Sequence, residues 1–231
     1  MKVRMFNNNY NNYNNYSNYN KYNNGSKDIA FKQIIRNDIP AKILKNNKYI
    51  LVVSGPSGVG KDSIMNVISD KFSHVVTHTT RPMREGEVNG FSYFFTSTKE
   101  FLEGIKNNEF VEYVKIFADR YYGTKRETVE HALKSGKPPL LILDVDGAKN
   151  VKKYFKDDPN VNVVSVFFRP PALETLKQRL LKRGTETMEA ITERIGRAKY
   201  EISQAKYYDA EVQVNNIEES VNDMKQLLHL N

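Results

Sequence analysis

The sequence predicts an α/β fold in which helices flank a parallel sheet. Three observations carry that expectation. Almost continuous apolar runs recur at Tyr49–Ser54, Pro139–Asp144 and Val163–Phe168, as in strands buried on both faces. Between these runs, apolar residues repeat at helical spacing. A glycine-rich loop ending in lysine follows the first run and opens a helix.

Each element has its own signal. Ile64, Val67, Ile68 and Phe72 share one face of a helix starting near Lys61. Ser92–Thr96 reads as a short strand, and the mixed pattern from about 90 to 116 suggests a small inserted α+β lobe. Ser97-Thr98-Lys99-Glu100 and Thr124-Lys125-Arg126-Glu127 are capping-box patterns before apolar residues at helical spacing. Gly136 suits the stop of the second of these helices. Pro170-Pro171 fits the first turn of a helix carrying Leu173, Leu176 and Leu180. Ile217, Val221, Met224 and Leu228 mark a final amphipathic helix.

The 231 residues suffice for one sizeable domain and a tail. There is no cysteine, which excludes disulfides and thiolate zinc sites, and the four histidines show no metal-ligand spacing. No run of 18 apolar residues exists, so no membrane-spanning segment is expected. Nine Lys or Arg against two acids in residues 1–48 account for seven of the eight net positive charges. The basic character belongs to that tail, and a nucleic-acid-binding face on the domain is not expected. Residues 7–24 are nearly all Asn and Tyr, with a tyrosine at every third position from 10 to 22. The period allows rings along one side of a tight helix. The composition favours a disordered tract with too little apolar surface to offset ordering entropy. Residues 1–48 are therefore expected to be a tail and 49–231 the domain. The tail is acid-poor and basic like an organelle transit peptide, yet poor in Ser and Arg. The expected compartment is the cytoplasm, with mitochondrion or plastid as the alternative.

The most informative stretch is Gly55-Pro56-Ser57-Gly58-Val59-Gly60-Lys61-Asp62-Ser63. Glycines let the backbone approach closely and turn successive N–H groups inward as an anion nest, with a helix N-terminus behind it. Lys61 then reaches β- and γ-phosphate oxygens of a nucleotide such as ATP. The position after the lysine ordinarily carries a hydroxyl for Mg²⁺; here it is Asp62, with Ser63 next. Either Asp62 or Ser63 serves the metal, or Asp62 caps the helix and leaves the metal to Ser63 or water. A second loop holds Arg81, Arg84 and Glu87. Two arginines three apart can clamp a second phosphate bidentately, with Glu87 locking Arg84.

The loop 55–61, followed by Thr79-Thr80-Arg81-Pro82-Met83-Arg84-Glu85-Gly86-Glu87-Val88-Asn89-Gly90 and then Tyr93 and Phe95, resembles the guanylate kinase family over roughly residues 49–231. The resemblance implies a phosphate-loop kinase core, a GMP-binding lobe at about 80–135 and a helical lid at about 183–200. It implies Mg²⁺-dependent phosphoryl transfer from ATP to GMP or dGMP, by a monomer or weak dimer. By the same resemblance Arg81, Arg84, Tyr93 and Tyr122 hold the GMP phosphate. Glu112 accepts from guanine N1 and N2, and Thr77 and Thr124 bond the base. Arg183 and Arg194 close over the ATP phosphates, joining Lys61 and Arg81 as the catalytic cations, and Asn215 and Asn216 lie where adenine is contacted. A carboxylate is the natural double acceptor for guanine's donor edge, and adenine offers no donor at N1. The family's strand-end signature of two acids is altered. Aligned through Gly147, the preferred ungapped register, Asp144 matches the second acid, a further candidate for the metal, Ile142 stands for the first, and Asp146 replaces a glutamine; the alternative register equates Asp144 and Asp146 with the two acids and deletes two residues. Asp62 after the lysine is similar to plastid and mitochondrial members. A peptide-binding relative without catalysis is one rival reading, and the intact Gly55, Gly58, Gly60 and Lys61 speak against it; a different nucleoside monophosphate kinase is another, and through the resemblance Glu112 and Thr124 speak against that one.

Overall fold

The computed structural model describes residues 39–45, 49–116, 120–184 and 187–230, so the Asn/Tyr tract lies outside it. Strands β1 (Tyr49–Ser54), β2 (Ser73–His74), β7 (Pro139–Ile142), β8 (Asn162–Arg169) and β9 (Ala210–Gln213), numbered in chain order, form a parallel sheet in the order β2-β7-β1-β8-β9. All six residues of β1 are buried, which is why the strand reads as one apolar run. Its alternate side chains feed two cores. Leu51 and Val53 join Leu140, Val166 and Phe168 against Ile64 of α2 (Lys61–Val67) and Met224 of α8 (Ile217–Leu227). Ile50 and Val52 join Leu141 and Val75 against Val129 of α4 (Arg126–Leu133) and Val151 of α5 (Val145–Phe155). After β1 the chain moves to the β2 edge of the sheet, and after β8 to the β9 edge, so the strand order reverses between these two neighbours. That switch point is where open α/β sheets bind ligands.

A second, mixed sheet stands beyond the strand ends, in the order β4-β3-β6-β5: β3 (His78–Thr79), β4 (Phe94–Phe95), β5 (Phe110–Ile116) and β6 (Arg120–Lys125). Helix α3 (Thr98–Lys106) packs on it through Phe101, whose ring stacks on Phe110 at 4.5 Å. The lobe expected at 80–135 thus starts at β3 and ends with β6, since α4 packs into the core of the parallel sheet. Of the region expected to form the lid, 183–200, the larger part falls in α7 (Met188–Gln204), and α6 (Leu173–Arg183) reaches it only with its last residue.

Several local expectations yield to context. The capping box at Ser97 and Glu100 forms as read. The one expected at Thr124 does not: Thr124 ends up inside β6, Lys125 is the N-cap without a side-chain bond, and the Thr124 hydroxyl is spent on Glu112. Helix α2 stops at Val67, which is 58% exposed, and Phe72 reaches the core only after a 3₁₀ turn over Ser69–Lys71. Gly136, at φ 82°, sits two residues past the α4 C-cap Lys134. Pro170 and Pro171 precede the α6 N-cap Ala172 rather than opening the first turn. In α8, Ile217 is 47% exposed while Val221, Met224 and Leu228 are buried. The expected domain boundary at 49 cuts into the packed unit. Ile39 is 5% exposed in the main core, and Ile43 and Leu44 of α1 (Ala41–Leu44) pack against it.

Candidate active site

The phosphate loop spans the gap between β1 and α2. A Cβ on Gly55 would stand 2.4 Å from the Phe168 carbonyl oxygen, so only glycine lets the loop leave β1 beside β8. Gly60 turns through φ 111° to become the α2 N-cap, a conformation L side chains avoid. Lys61 curls back over the loop, its ammonium donating to the carbonyls of Gly55 at 2.5 Å and Pro56 at 3.2 Å. Arg194, on α7, donates to the Ser57 hydroxyl at 2.9 Å, so the structure brings that expected residue onto the loop. Arg179 donates to the Val59 carbonyl at 2.9 Å and holds the loop's far side. Arg183 is the last residue of α6. Asp62 and Ser63 stand exposed in the first turn of α2. Asp62's charge bears both on His74 of β2 and on Tyr93, just before β4.

The second cluster is built on β3, β4 and β6. Arg81 is 5% exposed, and its guanidinium meets both Glu87 oxygens, at 2.9 and 2.7 Å. It lies over the rings of Tyr93 and Phe95, 5.3 and 5.6 Å from their centroids, and within reach of Tyr122. Burial alone lowers Arg81's affinity for its proton; Glu87 and Tyr122 more than offset this and leave the group held firmly charged. Glu87 therefore locks Arg81, not Arg84 as expected. It takes only the backbone N–H of Arg84, at 2.7 Å, and the Arg84 side chain stays exposed. Thr77 precedes β3 and fixes β4 by accepting from the Phe94 amide at 2.9 Å.

Glu112 and Thr124 face each other across β5 and β6, and the threonine hydroxyl donates to Glu112 at 2.7 Å. Glu112 is 4% exposed, and burial pushes its carboxyl up to about 8; the Thr124 bond opposes the rise and the Asp144 charge adds to it. Asp144 caps α5, accepting from Gly147 N at 2.8 Å. Its other oxygen takes the Arg197 guanidinium at 2.6 Å. Burial raises this carboxyl too, against the pull of Arg197. Both oxygens of this candidate metal ligand are thus taken, one of them by a cation. A Cβ on Gly147 would lie 3.0 Å from Glu112 and 3.2 Å from Asp144, so the two carboxylates converge on the bare start of α5. Of the two asparagines expected near adenine, Asn216 caps α8 and Asn215 accepts from Gln213.

The profile of the guanylate kinase family matches residues 47–231. The chain belongs to the guanylate kinase family. The guanylate kinase of Bacteroides fragilis is 40% identical over 157 residues, covering 67% of this chain and 75% of that protein. The guanylate kinase of Clostridium tetani is 41% identical over 156 residues, covering 67% and 72%. The crystal structure of guanylate kinase from Anaplasma phagocytophilum superimposes with a TM-score of 0.64 at 30% identity, covering 81% of this chain and 87% of that one.

Three members of the site escaped the sequence reading. Arg197, Tyr200 and Glu201 reach Asp144, Asp146 and back to Arg197 respectively. Their signal was present: Arg194, Arg197 and Glu201 repeat at helical spacing and share a face of α7. A polar stripe on an amphipathic helix reads first as its solvated side, and this one points inward.

Proposed function

We propose that this guanylate kinase transfers the γ-phosphoryl group of ATP to GMP or dGMP, giving ADP and GDP, with Mg²⁺ required. The observation that carries the reading is a buried carboxylate, Glu112, on a lobe that faces an intact phosphate loop. A buried double acceptor suits the N1–H and 2-amino donors of guanine and penalises bases without them. Thr124 holds its orientation, and Thr77, one residue before the His78–Gly123 pair, is level with Thr124 in the sheet. Arg81 is preorganised by Glu87 to meet the acceptor phosphate, with Tyr93 and Tyr122 beside it and Arg84 free to swing in from the surface.

On the donor side, the N–H groups of the loop beyond Pro56 and of the first turn of α2 cradle phosphates, and Lys61 exchanges two loop carbonyls for phosphate oxygens. Arg194 is already over the loop, and Arg183 joins it from the end of α6. Catalysis comes from in-line positioning and from cations on the spreading charge, since the acceptor phosphate is already ionised. Among the described residues no three acidic or histidine side chains cluster as a metal cage. Asp62 and Ser63 offer exposed hard oxygens beside Lys61, which fits Mg²⁺ held by one or two protein groups and phosphates. When bound, the ion supplies charge neutralisation at the β- and γ-phosphates. The described helices include none long and apolar enough to cross a membrane. We place the protein in the cytoplasm; a fluorescent fusion of residues 1–48 distinguishes this from a mitochondrial or plastid address.

A coupled ADP-release assay across GMP, dGMP, AMP, CMP and UMP tests the reading. GMP and dGMP should be used, with AMP, CMP and UMP lower by about two orders of magnitude or more in kcat/KM. Comparable rates with AMP would remove guanine from the assignment.

A further inference from the structure

Helix α7 lies against two parts of the site at once. Arg194 reaches Ser57 of the phosphate loop; one turn later Arg197 reaches Asp144 at 2.6 Å; beyond it Tyr200 donates to Asp146 at 3.2 Å. Arg197 is itself largely buried and splits its guanidinium between Asp144 and Glu201, the latter at 3.1 Å. A planar fork fits two carboxylates at fixed angles, which a lysine cannot do. Asp144 in turn is pinned by the Gly147 amide, and its pinned oxygen and Glu112 converge on the same bare turn of α5. Glu112 and Glu201 are buried acids and Asp144 a largely buried one in the same region, and Arg197 is hydrogen-bonded to both Asp144 and Glu201.

We propose that Arg197 is a positioning residue for base recognition. It touches no substrate. It holds the Asp144 carboxylate in place beside Glu112, and so sets the geometry in which guanine is read. Because the same helix carries Arg194 over the phosphate loop, the acceptor pocket and the donor clamp share one rigid support. This inference rests on the guanylate kinase reading above. A buried carboxylate that loses its cation moves towards water or is left uncompensated, and either change distorts the pocket wall.

The test is steady-state kinetics of full-length Arg197→Gln and Arg197→Lys, with GMP and with IMP, which lacks the 2-amino group. Melting temperatures establish that each variant is folded. Arg197→Gln should raise the KM for GMP about tenfold while the KM for ATP stays within about twofold, and the preference for GMP over IMP should shrink. Arg197→Lys keeps the charge but not the fork, and should raise the KM for GMP about threefold. A wild-type KM for GMP in folded Arg197→Gln overturns the proposal. Should that variant not fold, a wild-type KM in Arg197→Lys does so. Equal rises in the KM for GMP and ATP would make Arg197 a general support of the fold and reject the positioning role. Failure of the wild-type protein to phosphorylate GMP would instead remove the underlying reading.

Discussion

Glu112 has an ordinary carboxyl value of 4.5, and burial pushes it up to about 8. Its folded value therefore lies above its unfolded one. The stability it contributes is fully present below about pH 4.5 and is lost as the pH rises through about 8. Guanine's donors need the ionised form, so GMP binding near pH 7 should release a proton at this site, and GMP affinity should improve as the pH approaches 8. Calorimetry in two buffers of different ionisation enthalpy measures that proton. Glu112→Gln should abolish the release and weaken GMP far more than ATP, because the amide turns an acceptor towards guanine's donors. Asp62 poses a second question at this scale. Its carboxylate repels a metal-free triphosphate and attracts a metal-bound one. ATP affinity should therefore climb steeply with Mg²⁺, and Asp62→Ser should flatten the curve. Superimposable titrations would take Asp62 out of the metal's surroundings.

At the scale of elements, the start of α5 shows local preference giving way to the site. Gly147 is the third residue of that helix, where alanine is favoured over glycine by about 1 kcal/mol. A methyl group there would crowd the oxygens of Glu112 and Asp144 at 3.0 and 3.2 Å. Gly147→Ala should keep or raise the melting temperature while raising the KM for GMP several-fold; an unchanged KM would mean the bare turn does not shape the pocket. The same competition explains what was legible in the sequence. Strand β1, the loop to Lys61 and the cap at Ser97 were readable because each depends on residues adjacent in the chain. Thr124 was misread as a cap because its hydroxyl answers to Glu112, across the β5–β6 pair. Glu87 was matched to Arg84 by proximity in sequence, whereas burial sends it to Arg81. Arg197 was missed because its partner Asp144 lies on a different element.

At the scale of the whole molecule, the parallel sheet supplies the donor loop, the mixed sheet supplies the acceptor lobe, and α7 ties the loop at Ser57 to Asp144, whose carboxylate lies beside Glu112 of that lobe. The packed unit extends back at least to Ile39. Burying a residue of this size contributes about 2 kcal/mol. Deleting residues 1–44 should accordingly lower the melting temperature by roughly 5 °C, whereas deleting residues 1–38, an Asn/Tyr-rich and basic stretch, should leave stability and activity unchanged; differential scanning fluorimetry separates the two. The central claim is that the phosphate loop and the lobe act together on a single phosphoryl group. Its most direct test is the fate of γ-³²P-labelled ATP incubated with Mg²⁺, GMP and either the wild-type protein or Lys61→Ala. The account predicts label in GDP with little inorganic phosphate, and transfer slowed by about two orders of magnitude in the variant, which loses a preorganised cation on the transition state. Label released as inorganic phosphate, or GDP formed equally fast without Lys61, would contradict it.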